Sequence, residues 1–103
     1  MPRPKKHRHC RRYDGDRVFK PRSIPMDRLQ TITLGLDELE AMRLSDHEGL
    51  DQTEAGSRMG VSRGTVQRLL RSGRSKVLEA LLSNAALVVN QGENRETLHS
   101  NGR

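Results

Sequence analysis

Gly60 ends one apolar periodicity and stands just before a second, and no other residue constrains the fold as much. Ahead of it, Asp51 is a good helix N-cap, and Glu54 sits three residues on, where a reciprocal capping acid belongs. The short helix they open carries Ala55 and Met59 inward. Behind it, Val61 leads to Ser62, a second N-cap, and to a longer helix running to about Leu82. Val66, Leu69, Leu70, Gly73 and Val77 form the inward stripe of that helix. Arg63, Gln67, Arg71 and Arg74 recur at spacings of four, four and three, so they share the opposite side. The turn between the helices needs a positive φ, which glycine adopts cheaply.

This spacing fits the helix-turn-helix pattern. With Gln52 in first place, Ala55 is the apolar fourth position, Gly56 the small fifth where two helices cross, and Gly60 the ninth. Val61, Val66 and Leu69 are the tenth, fifteenth and eighteenth, which pack the second helix on the first. Six constrained positions therefore agree, a stronger signal than a basic patch alone. A further helix precedes the pair: Leu36, Leu39 and Met42 recur at helical spacing, Asp37 can cap its first turn with Glu40 three residues on, and Gly49 is a plausible stop. The acids at 37, 38 and 40 read as a solvated, helix-capping face. The fold class expected is all-α, a small helix-turn-helix domain with an extended basic N-terminal arm and a flexible C-terminal tail.

Charge divides the chain along the same lines. The 103 residues carry a formal +6. Residues 1–28 are net +7, residues 29–55 net −6, residues 56–82 net +5, and residues 83–103 balance. The organisation read from this is a basic, largely extended arm over 1–28, a helix-turn-helix domain over 29–83, and a short apolar segment with a disordered tail over 84–103. Phe19 to Pro25 is punctuated by prolines and reads as extended. Leu78, Leu81 and Leu82 rotate away from the Val66–Leu70 stripe, towards the N-terminal segment or a second chain as in a homodimer, and residues 85–89 can add a short strand to either. No apolar stretch is long enough to span a membrane, and the N-terminus lacks the apolar core of a secretory signal. A single cysteine, Cys10, excludes an intrachain disulfide and suits a reducing cytoplasm.

The chemistry suggested is recognition of a polyanion. The major groove of DNA admits one α-helix, whose N-terminal residues meet base edges. Ser62, Arg63, Gln67, Arg68 and Arg71 are the candidates for base readout: arginine can bond guanine, and glutamine adenine, through two hydrogen bonds. Arg58, Thr65, Arg74 and Lys76, with Arg3, Lys5, Lys6 and Arg8 of the arm, are the candidates for phosphate contacts.

Larger blocks of sequence carry a resemblance. They are Met1-Pro2-Arg3-Pro4-Lys5-Lys6; Phe19-Lys20-Pro21 with Ile24-Pro25; Leu36 to Leu44 with Glu48-Gly49-Leu50; and Gln52, Glu54-Ala55, Met59 to Arg63, Thr65 and Arg68. Over roughly residues 1–89 the chain resembles a family of small uncharacterised prokaryotic proteins predicted to bind DNA, with a helix-turn-helix similar to region 4 of sigma-70-type factors. The resemblance implies that fold and double-stranded DNA as partner. It departs at Gly35, where the family usually has a capping threonine, at Gly56, where it has alanine, and at His7, where it often has cysteine.

The same residues bear on other functions. Sigma-type region 4 domains also touch RNA polymerase, so the alternative is a protein-interaction module contacting polymerase or another transcription factor. RNA binding is disfavoured, because Tyr13 and Phe19 are the only rings for stacking bases. No enzyme is expected: nucleophile–base constellations and Gly-rich phosphate loops are lacking. His7, His9 and Cys10 are candidate metal ligands, but no second pair completes a zinc tetrahedron, so they read as part of the arm and no cofactor is expected.

Overall fold

The structure, a computed structural model, describes Cys10 and residues 17–89. Strands β1 (Arg17–Phe19), β2 (Thr31–Leu34) and β3 (Ala86–Val89) form a mixed sheet in the order β1-β3-β2. The all-α expectation is thereby corrected: among the described residues the fold combines three α-helices with a three-stranded sheet. β3 lies at the centre, antiparallel to β1 with Val18 opposite Val88, and parallel to β2 with Thr33 opposite the same Val88. β1 falls in the stretch read as an arm, whereas β3 is the short strand that residues 85–89 are expected to add. Each has only three or four residues, too few for an alternating pattern to show, and their pairing joins Arg17 to Val89 across almost the whole described chain.

Parallel neighbours cannot be joined by a tight turn, so the chain must cross from one end of the sheet to the other between β2 and β3. Helices α1 (Leu36–Met42), α2 (Gln52–Met59) and α3 (Arg63–Leu82) fill that crossover. α1 starts at Leu36, one residue before the expected cap, with Gly35 in the extended N-cap conformation. Gly35 has no side chain to cap with. Glu38 replaces it by reaching back, its Oε1 accepting from the Gly35 N–H at 2.8 Å, while Asp37 Oδ1 accepts from the Glu38 N–H at 2.8 Å. Glu40 takes no part in a cap; it pairs with Arg43. α1 then widens into a π-helical turn over Arg43–His47, closed by the Glu48 N–H donating to the Arg43 carbonyl at 2.8 Å, and Gly49 follows.

The core forms two clusters. Ala41, Leu44, Ala55, Met59, Val66 and Leu70 are buried among the three helices. Leu34, Leu36 and Val89 are buried between helices and sheet, with Leu39, Val77 and Leu87 against them. Met42 packs on both clusters and so joins the helical layer to the strands. Among the described residues no helix is long and apolar enough to cross a membrane.

Candidate functional site

The site is built on α2, the turn after it, and α3. Asp51 Oδ1 accepts from the Glu54 N–H at 2.8 Å, and Glu54 Oε1 accepts from the Asp51 N–H at 3.2 Å, a reciprocal box that fixes where α2 begins. Gly60 ends it at φ 71°, and the Val61 N–H donates back to the Gly56 carbonyl at 2.9 Å. The return is tight: a Cβ at Gly56 would lie 2.7 Å from the Val61 carbonyl oxygen and 3.4 Å from Val66 Cγ2. Ser62 Oγ then accepts from the Thr65 N–H at 3.1 Å and opens α3. Ala55 and Val66 are fully buried, while Val61 and Leu69 are half-buried against the same cluster. The orientation of α3 relative to α2 is thus fixed by one left-handed residue, two caps and a packed seam.

The outward side of α3 is polar for its first three turns. Ser62, Arg63, Gln67, Arg68 and Arg71 are all exposed there, and Arg58 is exposed on α2. Thr65 is half-buried; its Oγ1 lies 3.0 Å from Ser62 Oγ and accepts from Arg68 NH2 at 3.1 Å, so one hydroxyl steadies both the cap and an arginine. Among the described residues, Arg58, Arg63, Arg68 and Arg71 form no ion pair.

Further along the same helix the cations are engaged. Arg74 donates to Asp46 through Nε at 3.0 Å and NH2 at 2.6 Å. These hydrogen bonds hold the Asp46 carboxyl below its ordinary range and raise the Arg74 guanidinium above its own. Lys76 Nζ lies 2.9 Å from each carboxylate oxygen of Glu38, to which Ser72 Oγ also donates. Burial by itself would push the Glu38 carboxyl up, but the hydrogen bonds from Ser72, the Gly35 N–H and Lys76 outweigh it and the group sits below its ordinary value. The expected solvated acidic face is corrected here, because Glu38 and Glu40 are both buried. Glu40 faces Arg43 at 2.8 Å, and Arg43 also reaches Glu48 at 3.0 Å.

The sequence reading therefore placed Arg63, Gln67 and Arg71 on one open face, and it placed Arg74 and Lys76 correctly on α3 without their carboxylate partners. It missed Glu38 as the link between α1 and α3. The available signal was its position three residues after Gly35, which has no side chain, and four before Met42 on the inward side. Arg3, Lys5, Lys6, Arg8, His7 and His9 lie outside the described residues, so the arm contacts and the histidine–cysteine cluster do too, apart from half-buried Cys10. Among the described residues no group of acids, histidines and cysteines is placed to hold a metal ion.

These features define a small mixed domain in which two helices are joined by a three-residue turn, the second of them packs on a sheet, and the pair presents an open basic face. Residues 1–97 match the family model "Protein of unknown function DUF134", and the chain belongs to that family. It is 45% identical over 92 residues to a UPF0251 protein of Pelotomaculum thermopropionicum, covering 89% of this chain and 70% of that one. A UPF0251 protein of Moorella thermoacetica is likewise 45% identical over 92 residues, with 89% of this chain and 62% of the relative covered. One from Thermoanaerobacter sp. strain X514 is 44% identical over 95 residues, with 92% and 84% covered. The chain thus spans less than two thirds of the Moorella relative's length. No solved structure matches.

Proposed function

We propose that the chain binds double-stranded DNA through α2 and α3 and acts as a sequence-specific transcriptional regulator. One observation carries this reading: Arg58, Arg63, Arg68 and Arg71 are exposed around the start of α3 and form no ion pair among the described residues, whereas Arg74, Lys76 and Arg43 are held by carboxylates. In a chain with thirteen acids, a cluster of uncommitted arginines beside Gln67 at a helix N-terminus suits a polyanionic groove. In this reading Ser62, Arg63, Gln67, Arg68 and Arg71 meet base edges, and Arg58 meets phosphate. The similarity to region 4 of sigma-70-type factors rests on the same α2–turn–α3 segment.

The test is selection of duplexes from a random library, followed by titration of the selected site at increasing salt. Binding is expected to fall steeply with salt. Arg63→Ala or Gln67→Ala is expected to change the preferred sequence, and Arg58→Ala to weaken all sequences about equally. A flat salt response with recovery of RNA polymerase in the absence of DNA would replace this reading by the protein-interaction one.

A further inference from the structure

We propose that the C-terminal end of α3, with the sheet surface beside it, is the interface with a second copy of this chain in a two-fold dimer. Leu78 is 56% exposed, Leu81 70% and Leu82 81%, and Phe19 on β1 is 59% exposed. Single exposed leucines are ordinary on protein surfaces, but a contiguous group is not. The group here is contiguous. Leu81 and Phe19 line the same hollow of about 250 Å³, together with Pro21, Val77, Ala85 and Leu87, and Leu78 and Leu82 lie within a turn of Leu81 on α3.

Three properties of the patch fit a second copy. A two-fold contact presents the same surface on both sides, so it needs protrusion and recess side by side. Here the leucines of α3 protrude next to the hollow that could receive their counterparts. The second property is charge. The chain as a whole repels its own copy, with a formal +6. The last six residues of α3, Val77 to Leu82, carry one charge, that of Glu79, and the Lys20 ammonium at the hollow is folded back onto the Pro21 and Ile24 carbonyls at 3.0 and 2.6 Å. Two copies meet at this patch without bringing their basic faces together, while a highly charged partner finds little to pair with.

The third property is distance, and it rests on the DNA-binding reading. Gln67 and the exposed Leu81 are separated by fourteen residues of continuous helix, or about 21 Å. A two-fold axis beside Leu81 then sets the two Gln67 residues up to about 42 Å apart, and a departure of roughly 60–70° from antiparallel helices brings them to the ~34–36 Å of successive major grooves on one side of DNA. Phe19, Leu78, Leu81 and Leu82 together expose roughly 500 Å², main chain included, a share fit for the centre of an interface whose usual size is ~800 Å² per partner.

Sedimentation of the full chain without DNA tests this. The expected mass is twice 11.7 kDa at micromolar concentration. The Leu81→Glu Leu82→Glu variant should sediment at the single-chain mass with an unchanged circular dichroism spectrum. Leu78→Ser Leu82→Ser, which adds no charge, should weaken association by at least about tenfold. A single-chain mass for the unaltered protein overturns the proposal and leaves the hollow to another segment or another protein. A dimer insensitive to both variants overturns it as well. Because association is read without DNA, failure of DNA binding elsewhere leaves this result standing, and failure here leaves the DNA reading standing.

Discussion

Lys76 Nζ on α3 sits 2.9 Å from both carboxylate oxygens of Glu38 on α1, and Glu38 also accepts from Ser72 and from the Gly35 N–H. One buried carboxylate thus caps α1 and ties it to the helix that carries the basic face. Its ionised form is satisfied on every side, so its folded pKa lies below the ordinary 4.5. Near that value the unfolded chain binds more protons than the folded one. The stabilisation is therefore complete above about 4.5 and is lost as pH falls through the folded value. Urea unfolding from pH 7 to pH 3 should show this loss, and Glu38→Gln should flatten the curve on the acid side. Lys76→Met leaves the carboxylate two donors and should cost about 1 kcal/mol at neutral pH; adding Ser72→Ala should cost clearly more.

The turn makes a separate demand. Gly60 has φ 71°, so Gly60→Ala should destabilise by about 1–2 kcal/mol, since a Cβ is strained in the left-handed region. Gly56 is limited by space, because its Cβ position is 2.7 Å from the Val61 carbonyl oxygen. Gly56→Val should cost about 3 kcal/mol, as overpacking does where backbone must move. Thermal unfolding followed by circular dichroism measures both. A neutral Gly60→Ala would mean that the left-handed turn does not form in solution.

Legibility followed the range of the interactions. Asp51, Glu54, Gly60 and Ser62 act within a few residues of themselves, so the limits of α2 and the start of α3 could be read from spacing. Arg63, Gln67 and Arg71 were readable for the same reason, because helical period alone sets them on one side. Glu38, Lys76 and Ser72 meet across more than thirty residues; the spacing of Glu38 from Gly35 and Met42 signals a cap and an inward position, but not which distant residues it meets. The sheet was the hardest to read. β2 follows Thr-Ile-Thr-Leu with its alternation, but a four-residue alternation is weak until β3 arrives from the other side of three helices.

The place of β3 can be tested directly. Val89 is buried against Leu34 and Leu36, in the short apolar segment over 85–89 that the sequence marks as able to add a strand. Val89→Ala removes two methyl groups from that cluster and should cost about 1–2 kcal/mol, read as a lower urea midpoint with an unchanged slope. Val88, half-buried in the same strand, should cost less when cut to alanine. Equal and negligible effects at both positions would show that the strand is not part of the cooperative unit.

Arg74 lies on the outward side of α3 with Arg63, Gln67 and Arg71, yet both of its bonds go to Asp46 in the turn after α1. The pair is exposed, so it contributes little to stability and can be broken without unfolding the domain. On the DNA-binding reading it withholds one cation from phosphate. Asp46→Asn should therefore tighten binding to any duplex and steepen the slope of log K against log salt by about 0.9, the increment for one further phosphate contact. Arg74→Ala should weaken binding less than Arg71→Ala, because Arg71, with no ion pair among the described residues, breaks none in meeting DNA. Fluorescence anisotropy at several salt concentrations reads all three variants. Weaker binding by Asp46→Asn would instead make the pair a brace that aims α3, and the open basic face would end at Arg71.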